Sequence, residues 1–379
     1  MRKQRDVTEM SNFDPAGFVR PDIAAMEPYT PIVPFEVLSA RLGRAPVDIV
    51  KLDANENPYG PAPAARQALA AAQYVHIYPD PEATALRAAL AGYAGVDPAS
   101  LLAGAGADEL IDLVLRAVLA PGDTVINCPP SFGMYPFSTA VNMGMLHSVP
   151  RLPKFRLDVP GIVAAVEDNP RAKVLFICSP NNPDGSVVTS AELETLLALP
   201  LLVVLDESYV EFAGGSRIDW VARYENLVVL RTFSKWAGLA GLRAGYGAFP
   251  KWLLPHLWKI KQPYNVNVAA NVAALASLHA LDWLQERVAA LVAERERLQR
   301  ELARFDFLEP CPSQANFVLC RVTGRDARGL KLALEAHGVL VRYFAKAGLE
   351  DCIRVSAGRP EDTDRLIQAL EQLATEERL

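Results

Sequence analysis

Three short runs constrain this chain more than any other feature: "VLFIC" at 174–178, "LLVVL" at 201–205 and "LVVL" at 227–230. Each is continuously apolar and rich in Val, Leu or Ile, the pattern of strands buried on both faces. Between the first two stands "TSAELETLLAL" (189–199), where Thr189 and Glu192 make a capping-box pattern ahead of apolar positions at helical spacing. The same alternation of apolar runs and helical patterns extends over residues 50–270. It predicts an α/β domain built around a mostly parallel sheet.

Beyond that region the pattern changes. Residues 284–305 read as one long helix, with Leu284, Val288, Leu291, Leu298, Leu302 and Phe305 on a single stripe. "NFVLCRV" (316–322), "VLVRYF" (339–344) and "CIRVS" (352–356) read as strands, "ARGLKLALEAHG" (327–338) as a helix, and Pro360 opens a last helix. That is a smaller α+β domain. The expected division is a flexible arm at 1–27, an extended proline-stiffened segment at 28–50 packing with the small domain, a large domain at 51–280 and a small one at 281–379.

Composition narrows the partners. The chain has 379 residues, with 38 basic and 44 acidic ones giving a net charge of −6, so nothing points to nucleic acid or an anionic membrane. The five cysteines are scattered without a C-x-x-C pair and read as buried free thiols; the five histidines lack metal-ligand spacing, so no metal is expected. The N-terminal stretch is polar and charged, and no apolar run approaches a membrane span, so a cytoplasmic setting is expected.

In open parallel sheets, ligands bind beyond the carboxyl ends of the strands. There this sequence places "SPNNPDG" (179–185), "DESY" (206–209) and "RTFSK" (231–235), which gathers Asn182, Asp206, Tyr209, Ser234 and Lys235 on one rim. A glycine-rich turn, "GAGADEL" (104–110), runs into the amphipathic helix "DELIDLVLRAVL" (108–119). Glu109 stands where a dinucleotide fingerprint needs glycine, so the turn is either a plain tight turn or an anion site at a helix N-terminus. Asp206 alone could be a cap, Tyr209 core, and Lys235 a snorkelling surface residue. Together they call for one explanation: a phosphate-bearing, electron-withdrawing cofactor held by an amine. Lysine forms a Schiff base with an aldehyde, a carboxylate keeps a pyridine nitrogen protonated, and Ser234, Arg243 and the helix start near 106–108 suit a phosphate.

Eight segments carry a family resemblance: "KLDANENPYGP" (51–61), "YPDPE" (78–82), "GAGADELIDL" (104–113), "PPSFGMY" (129–135), "CSPNNPDG" (178–185), "DESYVEF" (206–212), "RTFSKWAGLAGLR" (231–243) and "IRVSAG" (353–358). Over residues 27–375 the chain resembles the fold-type I pyridoxal-phosphate aminotransferases, and among them is most similar to the histidinol-phosphate aminotransferases. The resemblance implies transamination between L-histidinol phosphate and 2-oxoglutarate by a ping-pong route. It makes Lys235 the Schiff-base lysine and proton shuttle, and Asp206 the partner of the pyridine nitrogen. Asn182 and Tyr209 face the ring's phenolic oxygen. Ser234, Arg243 and the backbone of Ala107 and Asp108 hold the phosphate, and Phe132 stacks on the ring. Arg354 takes a substrate carboxylate in a bidentate pair, Arg342 the substrate phosphate, and Tyr29 approaches the same phosphate. Tyr78 reaches the cofactor phosphate of a neighbouring subunit, which implies a homodimer with shared active sites.

Two other reactions fit the same fold: an aromatic amino acid aminotransferase, which has no need of Arg342, and a threonine-phosphate decarboxylase, which does need it. A transcription regulator carrying this domain requires a DNA-binding module, for which residues 1–27 are too short. The sequence departs from the family pattern at Asp184 (usually Thr), at Phe132 (often Tyr) and at Trp236, bulkier than the small residue usual beside the lysine and expected to narrow the site or its edge.

Overall fold

The computed structural model describes residues 15–28 and 33–376. The chain divides into two compact units, Met1–Pro31 and Ile32–Leu379. The described part of the first holds a 3-10 turn, Pro15–Phe18, and a short helix, Pro21–Ala24, beside which Arg20 and Asp22 form an exposed ion pair at 2.6 Å.

The second unit contains two sheets. Seven strands, β2 (Leu101–Gly104), β3 (Thr124–Asn127), β4 (Met145–Ser148), β5 (Ala172–Cys178), β6 (Leu202–Asp206), β7 (Leu227–Thr232) and β8 (Gly245–Ala248), lie in the order β2-β8-β7-β6-β5-β3-β4. Pairing is parallel from β4 through β7, and β8 runs antiparallel to both its neighbours. The three predicted apolar runs are β5, β6 and β7. Their residues alternate between two cores: Leu175, Ile177, Val203, Leu205 and Val229 face one layer, while Val174, Phe176, Val204, Val228 and Leu230 face the other. Both faces of the sheet are therefore covered, which is why the runs show no polar positions. The helix between β5 and β6, Ser190–Leu197, carries the expected capping box: Glu192 N donates to Thr189 Oγ1 at 3.2 Å, and Thr189 N to Glu192 Oε2 at 2.8 Å.

The second sheet has the order β1-β11-β12-β10-β9, from β1 (Val50–Leu52), β9 (Leu308–Pro310), β10 (Phe317–Val322), β11 (Val339–Tyr343) and β12 (Cys352–Ser356). Only the β1–β11 pairing is parallel. Two sequence expectations change here. The segment expected to be extended up to residue 50 contains a helix, Phe35–Leu42, in which Leu38 and Leu42, four apart, pack on Ile49 and Leu340. Strand β1, most of which the sequence placed in the large domain, pairs in the five-stranded sheet because alternate residues Val50 and Leu52 fill its core. The long helix spans Leu281–Leu302, so Phe305 follows its end.

Candidate active site

The carboxyl ends of β5, β6 and β7 lie level. Cys178 is the register partner of Asp206, and Asp206 of Leu230, so the polar segments after these strands share one rim. Asp206 ends β6 and is 2 % exposed. Its Oδ1 accepts from Ser208 N at 3.0 Å and Ser208 Oγ at 2.5 Å, and its Oδ2 from Tyr135 Oη at 2.7 Å. All three donors are uncharged, and burial pushes the carboxyl up from its ordinary value despite them. This carboxylate lacks the counter-charge that a cation, such as a protonated ring nitrogen, brings.

Lys235 follows β7. Its Nζ donates to Ala54 O at 3.3 Å and sits 6.0 Å from the centre of the Tyr209 ring. Burial, then the positive charge of Arg354, pushes the amine down to about 8. Trp236 does not enter the site. It is 2 % exposed, stacks on Tyr93 and Phe233 at 5.4 and 5.6 Å, and donates its indole N–H to Thr232 O at 3.0 Å. The bulky ring lies in the core behind the lysine, which corrects the expectation that it narrows the site.

Tyr209 Oη accepts from Asn182 Nδ2 at 3.4 Å and from Asn55 Nδ2 at 3.1 Å. Burial raises its phenol, with the Arg354 charge pulling the other way. Arg354, on β12, donates to Asn182 Oδ1 at 2.6 Å and to Asp53 O at 2.9 Å. Arg342 is its register partner across the antiparallel β11–β12 pair. Directly opposed residues share one face of a sheet, and both guanidiniums lie against Phe344, at 5.7 and 5.5 Å from its centre.

The glycine-rich turn becomes the start of a helix, Ala107–Val118, with Gly106 at its N-cap and no side-chain cap. The first N–H groups of a helix have no intrahelical partner. Gly106 has φ +84°, and a Cβ there would stand 2.7 Å from Arg243 Nη2. Arg243, itself at φ +56°, pairs with Asp108 Oδ2 at 2.8 Å. Ser234 is buried and held by Thr232, whose Oγ1 accepts from Ser234 N at 3.1 Å. A helix start, a hydroxyl and a guanidinium therefore meet in a cradle whose room depends on the absent Cβ, and this suits a phosphate.

Phe132 stands edge-on to Tyr135 at 5.6 Å. At 184 the departure is absorbed: Asp184 accepts from Asn181 Nδ2 and, at 3.0 Å, from Ser186 N. Tyr78 is 79 % exposed and stacks on Tyr264 at 4.6 Å. Tyr29 lies outside the described residues. Sequence reading missed Tyr135, Asn55 and the Ala54 carbonyl. Tyr135 had a signal, standing three residues after Phe132 in "PPSFGMY"; Asn55 had only the crowding of asparagines in "DANENP".

Over residues 47–370 the sequence matches the family model "Aminotransferase class I and II", and the chain belongs to that family. Its similarities within the family are specific. It is 55 % identical over 356 residues to the chloroplastic histidinol-phosphate aminotransferase of Nicotiana tabacum, covering 93 % of this chain and 86 % of that one. It is 54 % identical over 366 residues to the histidinol-phosphate aminotransferase of Roseiflexus castenholzii, covering 94 % and 98 %. The crystal structure of histidinol-phosphate aminotransferase from Sinorhizobium meliloti in complex with pyridoxal-5'-phosphate superposes with a TM-score of 0.86 at 32 % identity, covering 95 % of this chain and 98 % of that one.

Proposed function

We propose that the chain is a pyridoxal-phosphate aminotransferase that moves the amino group of L-histidinol phosphate to 2-oxoglutarate. The observation that carries the substrate is the pair Arg342–Arg354, two arginines opposed across β11–β12, one of which, Arg354, reaches Asn182. Two guanidiniums suit a phosphate monoester, which an apolar or aromatic amino acid does not bring. Histidinol phosphate has no α-carboxylate, so Arg354 takes a carboxylate of 2-oxoglutarate in the second half-reaction, through a bidentate pair.

The residues fit the cofactor: a buried carboxylate without counter-charge, a cradle cleared by Gly106, and a buried amine poised near 8. When bound, pyridoxal phosphate supplies an aldehyde for the amino group and a ring that withdraws the electron pair left at Cα. Lys235 would hold that aldehyde through its amine, and the same Nζ would carry the proton from the substrate Cα. Asp206 holds a proton on the ring nitrogen. Tyr209 and Asn182 donate to the phenolic oxygen and keep it ionised, and Phe132 packs on the ring. Ser234, Arg243 and the N–H groups of Ala107 and Asp108 bind the phosphate. Two copies of the chain complete the site, with the exposed Tyr78 reaching the neighbour's phosphate. Five unpaired cysteines fit a reducing, cytoplasmic setting.

The test mixes the purified yellow protein with one amino donor at a time and follows conversion to the pyridoxamine form. Histidinol phosphate converts it, and Lys235→Ala loses both the colour and turnover. Conversion by phenylalanine or tyrosine but not histidinol phosphate would overturn the substrate. Carbon dioxide release from threonine phosphate would move the chain to the decarboxylases.

A further inference from the structure

Glu109 breaks the glycine fingerprint, and the structure gives it a use outside the site's direct contacts. Its Oε2 accepts from Ala105 N in the phosphate turn at 2.6 Å and from Asn265 Nδ2 at 2.7 Å. Asn265 Nδ2 also reaches Ala103 O, at the end of β2, at 3.2 Å. Asn265 Oδ1 in turn accepts from Lys261 Nζ at 2.9 Å. The buried Lys261 ammonium donates further to Pro81 O and to Gln262 O, both at 3.0 Å. An ammonium has three N–H donors, and here each has one acceptor. Its face also covers the Trp258 ring at 5.2 Å.

The far end of this chain of bonds is an exposed aromatic pair. Pro81 lies three residues after Tyr78, and Asn265 directly follows Tyr264, which holds φ +61°. The two rings stack at 4.6 Å and 22°, yet Tyr78 is 79 % and Tyr264 40 % exposed. Stacked aromatics held this firmly and left in solvent suit a protein contact.

We propose that Glu109, Asn265 and Lys261 form a positioning relay that ties the phosphate cradle to the Tyr78–Tyr264 pair, so that cofactor binding and pairing of two copies strengthen each other. This rests on the homodimer reading given above. A phosphate in the cradle fixes the turn around Ala105, and through Glu109, Asn265 and Lys261 the same bonds hold Gln262 and Asn265 on either side of Tyr264, and Pro81 three residues after Tyr78. By linkage, the partner's arrival tightens the cofactor by the same factor that the cofactor tightens the dimer.

The experiment uses cofactor-stripped full-length protein, titrated with pyridoxal phosphate and followed by sedimentation with and without it. The cofactor tightens the parent dimer by about tenfold, within the usual range of such coupling. Lys261→Met and Glu109→Leu cut that ratio to below about threefold and weaken cofactor affinity by about tenfold, the scale of a lost charge-assisted hydrogen bond. Lys261→Arg keeps charge and donors and restores most of the coupling, which a merely misfolded Met variant does not predict; circular dichroism checks folding of each. Full coupling in Lys261→Met, or unchanged cofactor affinity in it, would overturn the relay. A parent that is monomeric with and without cofactor would instead refute the dimer reading and the coupling with it, whereas loss of cofactor affinity in Lys261→Met would still support the brace on the cradle.

Discussion

A lysine at the end of a buried strand is costly while charged, and Lys235 responds by giving up its proton more readily than an exposed one. Burial first, and the Arg354 charge second, bring it from 10.5 to about 8. Only the uncharged amine attacks an aldehyde. The rate at which cofactor-free protein captures pyridoxal phosphate therefore rises with pH through about 8 and levels off above it. Stopped-flow absorbance measures this directly, and a midpoint near 10.5 would show that the amine is not desolvated. Trp236 belongs to the same account. With its indole N–H bonded to Thr232 O and its carbonyl accepting from Asn57 Nδ2 at 2.8 Å, it pins the backbone on the lysine's C-terminal side. Its size fills the core behind the lysine and leaves the side facing Tyr209 open.

The turn at Gly106 shows how an element makes a site out of backbone. Here φ is +84° and an added Cβ would meet the Arg243 guanidinium at 2.7 Å. Gly106→Ala thus costs about 1–3 kcal/mol in backbone strain and pushes the guanidinium out of the cradle. A fall in pyridoxal phosphate affinity that outlasts any loss of thermal stability checks this; Thr189→Ala, which removes a distant helix cap worth about 1 kcal/mol, is the control that lowers stability alone. The elements themselves were legible. Continuous apolar runs gave β5, β6 and β7 because both sheet faces are buried, and Thr189 with Glu192 marked a helix start. The helix Phe35–Leu42 was not legible, because prolines at 28, 31 and 34 dominate its approach and, among its described side chains, Leu38 and Leu42 alone meet a core. Asn55 was equally hidden, since its role depends on contacts about 150 and 300 residues away along the chain.

Across the whole molecule, the two sheets are stitched together at the site. Asn55 donates from its side chain to Tyr209 Oη at 3.1 Å and from its backbone to Ser356 Oγ at 2.8 Å, and its carbonyl accepts from Asn316 Nδ2 at 3.0 Å. Arg354 of the five-stranded sheet reaches Asn182 beyond the seven-stranded one. Asn55→Ala removes the side-chain bonds to Tyr209 Oη and from Ser356 Oγ, which donates to Asn55 Oδ1 at 3.0 Å, and costs about 1–3 kcal/mol, read as a shift in the urea midpoint, with a loss of activity steeper than that of Ser356→Ala, which leaves the bond to Tyr209 in place. No described helix is long and apolar enough to cross a membrane.

Lys235 lies in the link between β7 and β8, the third and second strands from one edge of the seven-strand order. A chromophore held by Lys235, as proposed above, would be an optical strain gauge. Its colour would follow the integrity of β7, β8 and the helix start at Gly106, so the eye could watch this protein come apart.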